Sequence, residues 1–149
     1  LVKLRGFSSD DFAKFHPGGN LGKRLFLKVE DLIDTNILPK VDISDLMKDV
    51  IIEISNKMLG IAAVLDENKI VGVITDGDLR RQLLKSQDIS KVKAIEIMTK
   101  SPKIIEKNLL ATEALAIMKR NKISQLIVAE KNNYIGVLHI QSLIKEGII

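Results

Sequence analysis

Between residues 72 and 84 the chain reads GVITDGDLRRQLL, so that Thr75, Asp76 and Asp78 lie within four positions, with Arg80 and Arg81 directly behind them. Two carboxylates and a hydroxyl this close admit several chemistries. A metal site would need several more oxygen ligands, and a calcium loop would need a third spaced acid and a later glutamate, which are missing, so no metal site is expected. A catalytic pair needs two acids facing one bond, whereas acids flanking a single glycine fit a strand-to-helix turn. Two readings remain. Asp78 is placed to be the N-cap of the helix LRRQLLK, accepting from an orphan amide; or Thr75 and Asp78 form a hook for a ligand. Arg80 and Arg81 suit a phosphate or a carboxylate, since a guanidinium binds either in bidentate fashion, or they are a solvated helix face.

A second candidate is His16, in HPGG. An imidazole can move a proton near neutral pH, and Pro17-Gly18-Gly19 would present it on a turn. The alternative is a plain helix end, because SSDDFAKF starts with cap-type serines and early acids and Pro-Gly-Gly terminates it. The nearby GGNLGK is no phosphate loop: its glycine spacing is one residue short, and Arg24 stands where Ser or Thr should meet magnesium.

The elements that position these residues occur twice. From Gly136 the chain reads GVLHIQSLIKEGI, the same apolar frame as at Gly72 without the acids. Sliding the chain by 64 positions aligns Ala63-Val64 with Ile127-Val128, Gly72 with Gly136, Leu79 with Leu143 and, without a gap, Ile33 with Ile97. Each copy reads as a short strand (KVDI; PKII), an amphipathic helix (Leu46, Val50, Ile54, Met58; Leu110, Ala114, Ile117, Met118), a strand, a polar turn (DENK; EKNN), a second strand and a last helix. The expected fold is α/β (α+β): β-α-β-β-α twice, the two units packed as a pseudo-twofold pair because each sheet would otherwise be half uncovered. Ser142 matches Asp78 and could cap as well, so capping alone does not explain the aspartate.

Composition sets the frame. The 149 residues are 46% hydrophobic, 28% charged and 3% aromatic, which suits a globular protein with an aliphatic core. There is no cysteine, so disulfides and thiolate metal sites are excluded, and a cytoplasmic location is expected. The longest uncharged stretch, Asn132 to Ile144, is too short to span a bilayer, and no membrane partner is expected. The net charge of +4 sits wholly in residues 1–28, which hold six basic and two acidic residues, while the remainder balances at 17 of each. That neutral body lacks the basic face that nucleic acids require. The chain begins at Leu1 inside a helix-like LVKLR, which suggests a piece of a longer protein.

The tandem unit with GVITDGD closing its second strand resembles the cystathionine-beta-synthase-type (CBS) domain pair, a regulatory module. The run RGFSSDDFAKFHPGGNLGKRLFLKVEDL, with LGIAAVLDENKIVGVITDGDLRR and the closing IGVLHIQSLIKEGII, is similar to the C-terminal part of bacterial arabinose 5-phosphate isomerases over essentially the whole chain. The resemblance implies a remnant of the sugar-isomerase (SIS) domain in residues 1–28, one CBS domain in 29–90 and a second in 91–149. It implies a parent that interconverts D-ribulose 5-phosphate and D-arabinose 5-phosphate in Kdo synthesis, with His16 catalytic in the full-length enzyme and this stretch inactive alone. It implies a nucleotide hook at Thr75 and Asp78, with Asp76, Arg80, Arg81 and, in the cleft between the units, His139 as further ligand contacts; His139 and Ser142 replace the hook in the second unit. No cofactor is required; the expected ligand is an AMP-like nucleotide or CMP-Kdo. The expected partners are the chain's own SIS domain and further copies, as a CBS-pair dimer in a tetrameric parent. A ligand-free architectural module and a free-standing adenosine-nucleotide sensor are the alternatives.

Overall fold

The computed structural model describes residues 25–85 and 88–149. His16 and the rest of the HPGG stretch lie outside them. The first unit runs β1 (Lys40–Asp42), α1 (Met47–Lys57), β2 (Ile61–Asp66), β3 (Lys69–Thr75) and α2 (Asp76–Lys85). The second runs β5 (Ile104–Glu106), α4 (Ala111–Asn121), β6 (Gln125–Glu130), β7 (Asn133–His139) and α5 (Ile140–Lys145). Between them lie α3 (Ala94–Ile97) and β4 (Thr99–Lys100), which the hydrophobic pattern does not reveal.

The sheets follow from the connections. β1 reaches β2 through α1 and pairs with it in parallel, as a helical crossover requires, whereas β2 and β3 pair antiparallel across a two-residue turn. That turn places Glu67 at φ 49° and Asn68 at φ 72°, the primed geometry that matches strand twist, and Lys131 and Asn132 repeat it at 50° and 72°. The resulting sheets are β1-β2-β3-β4 and β5-β6-β7. β2 is buried on both faces. Ala62 and Val64 meet the helices of their own unit, while Ile61 and Ala63 pack against Ile127 and Val137 of the other sheet.

Two expectations need correction. Met58 does not belong to the buried stripe of α1: it is the left-handed cap residue at φ 61° and 83% exposed, since the helix has already ended at Lys57. The ungapped pairing of Ile33 with Ile97 also fails. A Cβ on Gly136 would meet Ile33, but one on Gly72 would meet Met98, so the leading segments correspond at a spacing of 65, not 64.

Those leading segments are exchanged. The Val29 amide donates to the Leu109 carbonyl and the Ala111 amide to Leu27, while Ala94 donates to Asp45 and Met47 to Val92. Val29 is therefore buried in the core of the second unit, with Leu115, Leu126 and Leu143, and Ala94 and Ile97 are buried in that of the first. Each half of the sequence supplies the lid of the other half's core.

Candidate ligand-binding cleft

The site lies where β3 ends and α2 begins. Thr75 keeps extended backbone as the last residue of β3, so its hydroxyl stands at the start of the helix and accepts from the Asp78 amide at 3.2 Å. The Asp78 carboxylate returns to the Thr75 amide (2.9 Å) and hydroxyl (3.2 Å). This is a reciprocal capping box. Asp78 is thus not the N-cap expected from the sequence; α2 starts two residues earlier, and Thr75 caps it. In the second unit the cap is again not the residue at the position of Asp78: His139 Nδ1 accepts from the Gln141 amide at 3.1 Å, and Ser142 lies inside the helix. Burial holds the His139 ring below its ordinary pKa, in keeping with the neutral form that an accepting Nδ1 needs.

Asp78 is 9% exposed, the one charged residue in the core of the described residues. Its second oxygen pairs with Arg81 Nη2 at 2.5 Å, and the Thr99 hydroxyl approaches at 3.4 and 3.5 Å. Gly77 leaves room beside this pair: a Cβ there would stand 3.3 Å from the Arg81 guanidinium, which would have to shift slightly. A buried carboxylate would be costly without such partners.

Thr75, Asp78 and Arg81 open onto a cleft of about 390 Å³ between the two units. Its floor is apolar, made by Ile61, Val73 and Ile127 from the seam between the sheets. The cleft is also lined by Ser101, Pro102 and Lys103, the crossover from the first sheet to the second, and by Asn121 and Gln125. An apolar cleft lined by a buried acceptor, Asp78, and by two cations, Arg81 and Lys103, suits a flat, polar-edged molecule carrying hydroxyls and an anion. Among the described residues no three His, Asp or Glu side chains gather as a metal site.

The structure divides the sequence candidates. Thr75, Asp78 and Arg81 share the cleft; Asp76 and Arg80 instead line a neighbouring groove of about 370 Å³, which meets the cleft at Thr75, Ile123 and Gln125. His139 does not line the cleft. It occupies the place of Thr75 in the other unit, so grouping it with Thr75 and Asp78 is not supported. Ser101, Lys103, Asn121 and Gln125 were not legible as site residues, because they come from the second half of the chain and reach the first hook only through the crossover.

The family model for the CBS domain matches residues 29–85 and again 92–148. The chain belongs to the CBS domain family. The CBS pair is 46% identical over 153 residues to an uncharacterized protein of Helicobacter pylori strain J99, across 99% of this chain and 46% of that protein. It is 41% identical over 152 residues to the arabinose 5-phosphate isomerase KdsD of Pseudomonas aeruginosa PAO1, across 100% of this chain and 47% of that enzyme. The chain therefore spans about half the length of the curated relatives it matches. In fold it is similar to the CBS-pair protein CBSX2 of Arabidopsis thaliana, solved in complex with AMP, with a TM-score of 0.67, 21% identity, and coverage of 82% of this chain and 96% of that one.

Proposed function

We propose that this CBS pair is the ligand-sensing part of an arabinose 5-phosphate isomerase of Kdo biosynthesis, and that its ligand is an AMP-like nucleotide or CMP-Kdo. The observation that carries the reading is the buried Asp78 carboxylate at the mouth of an apolar cleft, where it can accept hydroxyls of a ribose while Thr75 and Arg81 face the phosphate. The similarity to KdsD over the whole chain supports the parent enzyme, and the AMP complex of CBSX2 supports the ligand class. The pair acts beside its own SIS domain in a cytoplasmic homo-oligomer, carries no chemistry itself, and needs no cofactor.

A ligand in the cleft would touch both the hook and the crossover Ser101–Lys103, and so bear on how the two units are arranged. A ligand that fits one arrangement of the units better than another shifts their equilibrium and, through the segment leading into Val29, the isomerase domain. Calorimetric titration of the chain with AMP and CMP-Kdo tests this. Saturable binding of either is expected; heat and melting temperature unmoved by both would leave the architectural reading, which the exposed Leu83, Leu84 and Ile144 of α2 and α5 favour as a surface for a second copy.

A further inference from the structure

The groove beside the cleft has a counterpart that shows which of its features the fold requires. Arg80 and Lys122 stand on it, with Gly60, Gly77 and Ser124 between them and Asp76 as its one carboxylate. Moved by the repeat of 64, Arg80 becomes Ile144 and Lys122 becomes Met58, 48% and 83% exposed, while Asp76 becomes Ile140. Met58 and Lys122 share the left-handed backbone, at φ 61° and 56°, so the fold needs that turn and not its charge. The two cations, one from each unit, meet only on the side of the pair that carries Thr75 and Asp78.

Neither cation is engaged. Arg80 and Lys122 enter no ion pair among the described residues, whereas Arg81 is already bound to Asp78. Gly60, at φ 72°, lets the wall pass close: a Cβ there would lie 2.9 Å from Gln125 Nε2 and 3.3 Å from an Asp76 oxygen. The groove and the cleft share Thr75, Ile123 and Gln125 in their walls. On the nucleotide reading, a phosphate at Thr75 stands beside the groove, and a group attached beyond it reaches Arg80 and Lys122.

We infer that this groove is a second compartment of the site, which takes an anionic group carried on the ligand's phosphate and so selects an extended nucleotide over a simple monophosphate. The inference rests on the nucleotide reading given above. The shared chemistry is a second negative charge past the first phosphate, supplied either by a further phosphate or by the carboxylate of an acid sugar. Arg80 can hold either group in bidentate fashion, with Lys122 as a point charge opposite.

The test is titration of the full chain and of its Arg80→Gln, Lys122→Gln double variant with AMP, ADP, CMP and CMP-Kdo. The wild type is expected to bind ADP over AMP, or CMP-Kdo over CMP, by about tenfold or more, and whichever pair shows the preference identifies the source of the anion. The variant should lose that preference and keep its monophosphate affinity within about twofold, since the exposed cations lie outside the cleft. A wild type that binds AMP or CMP without preferring the extended partner overturns the inference and leaves the nucleotide reading standing. An equal loss for short and long ligands also overturns it, because the cations would then act only as a general field. Binding of none of the four overturns both.

Discussion

Asp78 serves two purposes at once. Its carboxylate closes the capping box with Thr75 and neutralises Arg81, and the same buried oxygens face the cleft. Asp78→Ala should therefore cost about 1–3 kcal/mol in denaturant unfolding, because it leaves the Thr75 amide and a guanidinium without their acceptor. Asp76→Ala should cost less than about 1 kcal/mol, as Asp76 is exposed and gains only from the helix dipole; equal costs would contradict the assignment. His139 makes the opposite choice. Its ring is held below its ordinary pKa in the folded state, so the stability it contributes is present above about pH 6.5 and fades as pH falls and protonation removes the accepting lone pair. Between pH 7 and 5 the wild type should lose more stability than His139→Asn, whose amide oxygen can still cap; parallel losses would show that the cap does not titrate. At this scale the sequence pointed to Thr75 and Asp78, which do share one cleft, and misplaced the N-cap, because a capping box and an N-cap differ by where the helix starts, which a pattern of apolar residues leaves open by a turn.

At the scale of elements, the two copies are alike where backbone geometry governs and differ where a strand edge is covered. Gly72 lets β4 approach: a Cβ there would stand 2.6 Å from Met98 Sδ and 2.9 Å from the Thr99 carbonyl, a backbone atom that cannot give way alone. At Gly136 the nearest obstacle is the end of a flexible side chain, Ile33 Cδ1 at 3.1 Å. Gly72→Ala should lower the unfolding midpoint by the equivalent of about 1–3 kcal/mol and Gly136→Ala by less, as overpacking against backbone is the costlier kind. A larger effect at Gly136 would contradict this. The repeated strands and helices were legible because their apolar periods recur in register. β4 and α3 were not, since two to four residues are too few to show a period.

Across the whole molecule, the exchange of leading segments is the feature least visible in the sequence. A linear repeat suggests two units that each keep their own residues, yet Val29 completes the second core and Ala94 the first. Val29→Ala should cost about 1–3 kcal/mol from the lost methyl groups and the cavity. Hydrogen exchange should quicken at Ala111, whose amide donates to Leu27, and not at Met47, whose partner is Val92; faster exchange confined to the first unit would contradict the exchange. The crossover brings Lys103 of the second half to the same cleft as Asp78 of the first, so the cleft is a property of the pair and of neither copy alone. The most direct test of a one-sided sensor is a titration of isotope-labelled chain with AMP and CMP-Kdo, followed by amide NMR. Saturable shifts at Thr75, Asp78, Arg81 and Lys103, with His139, Ser142 and Lys145 unmoved, are expected; shifts centred on His139 and Ser142, or none anywhere, would contradict the account.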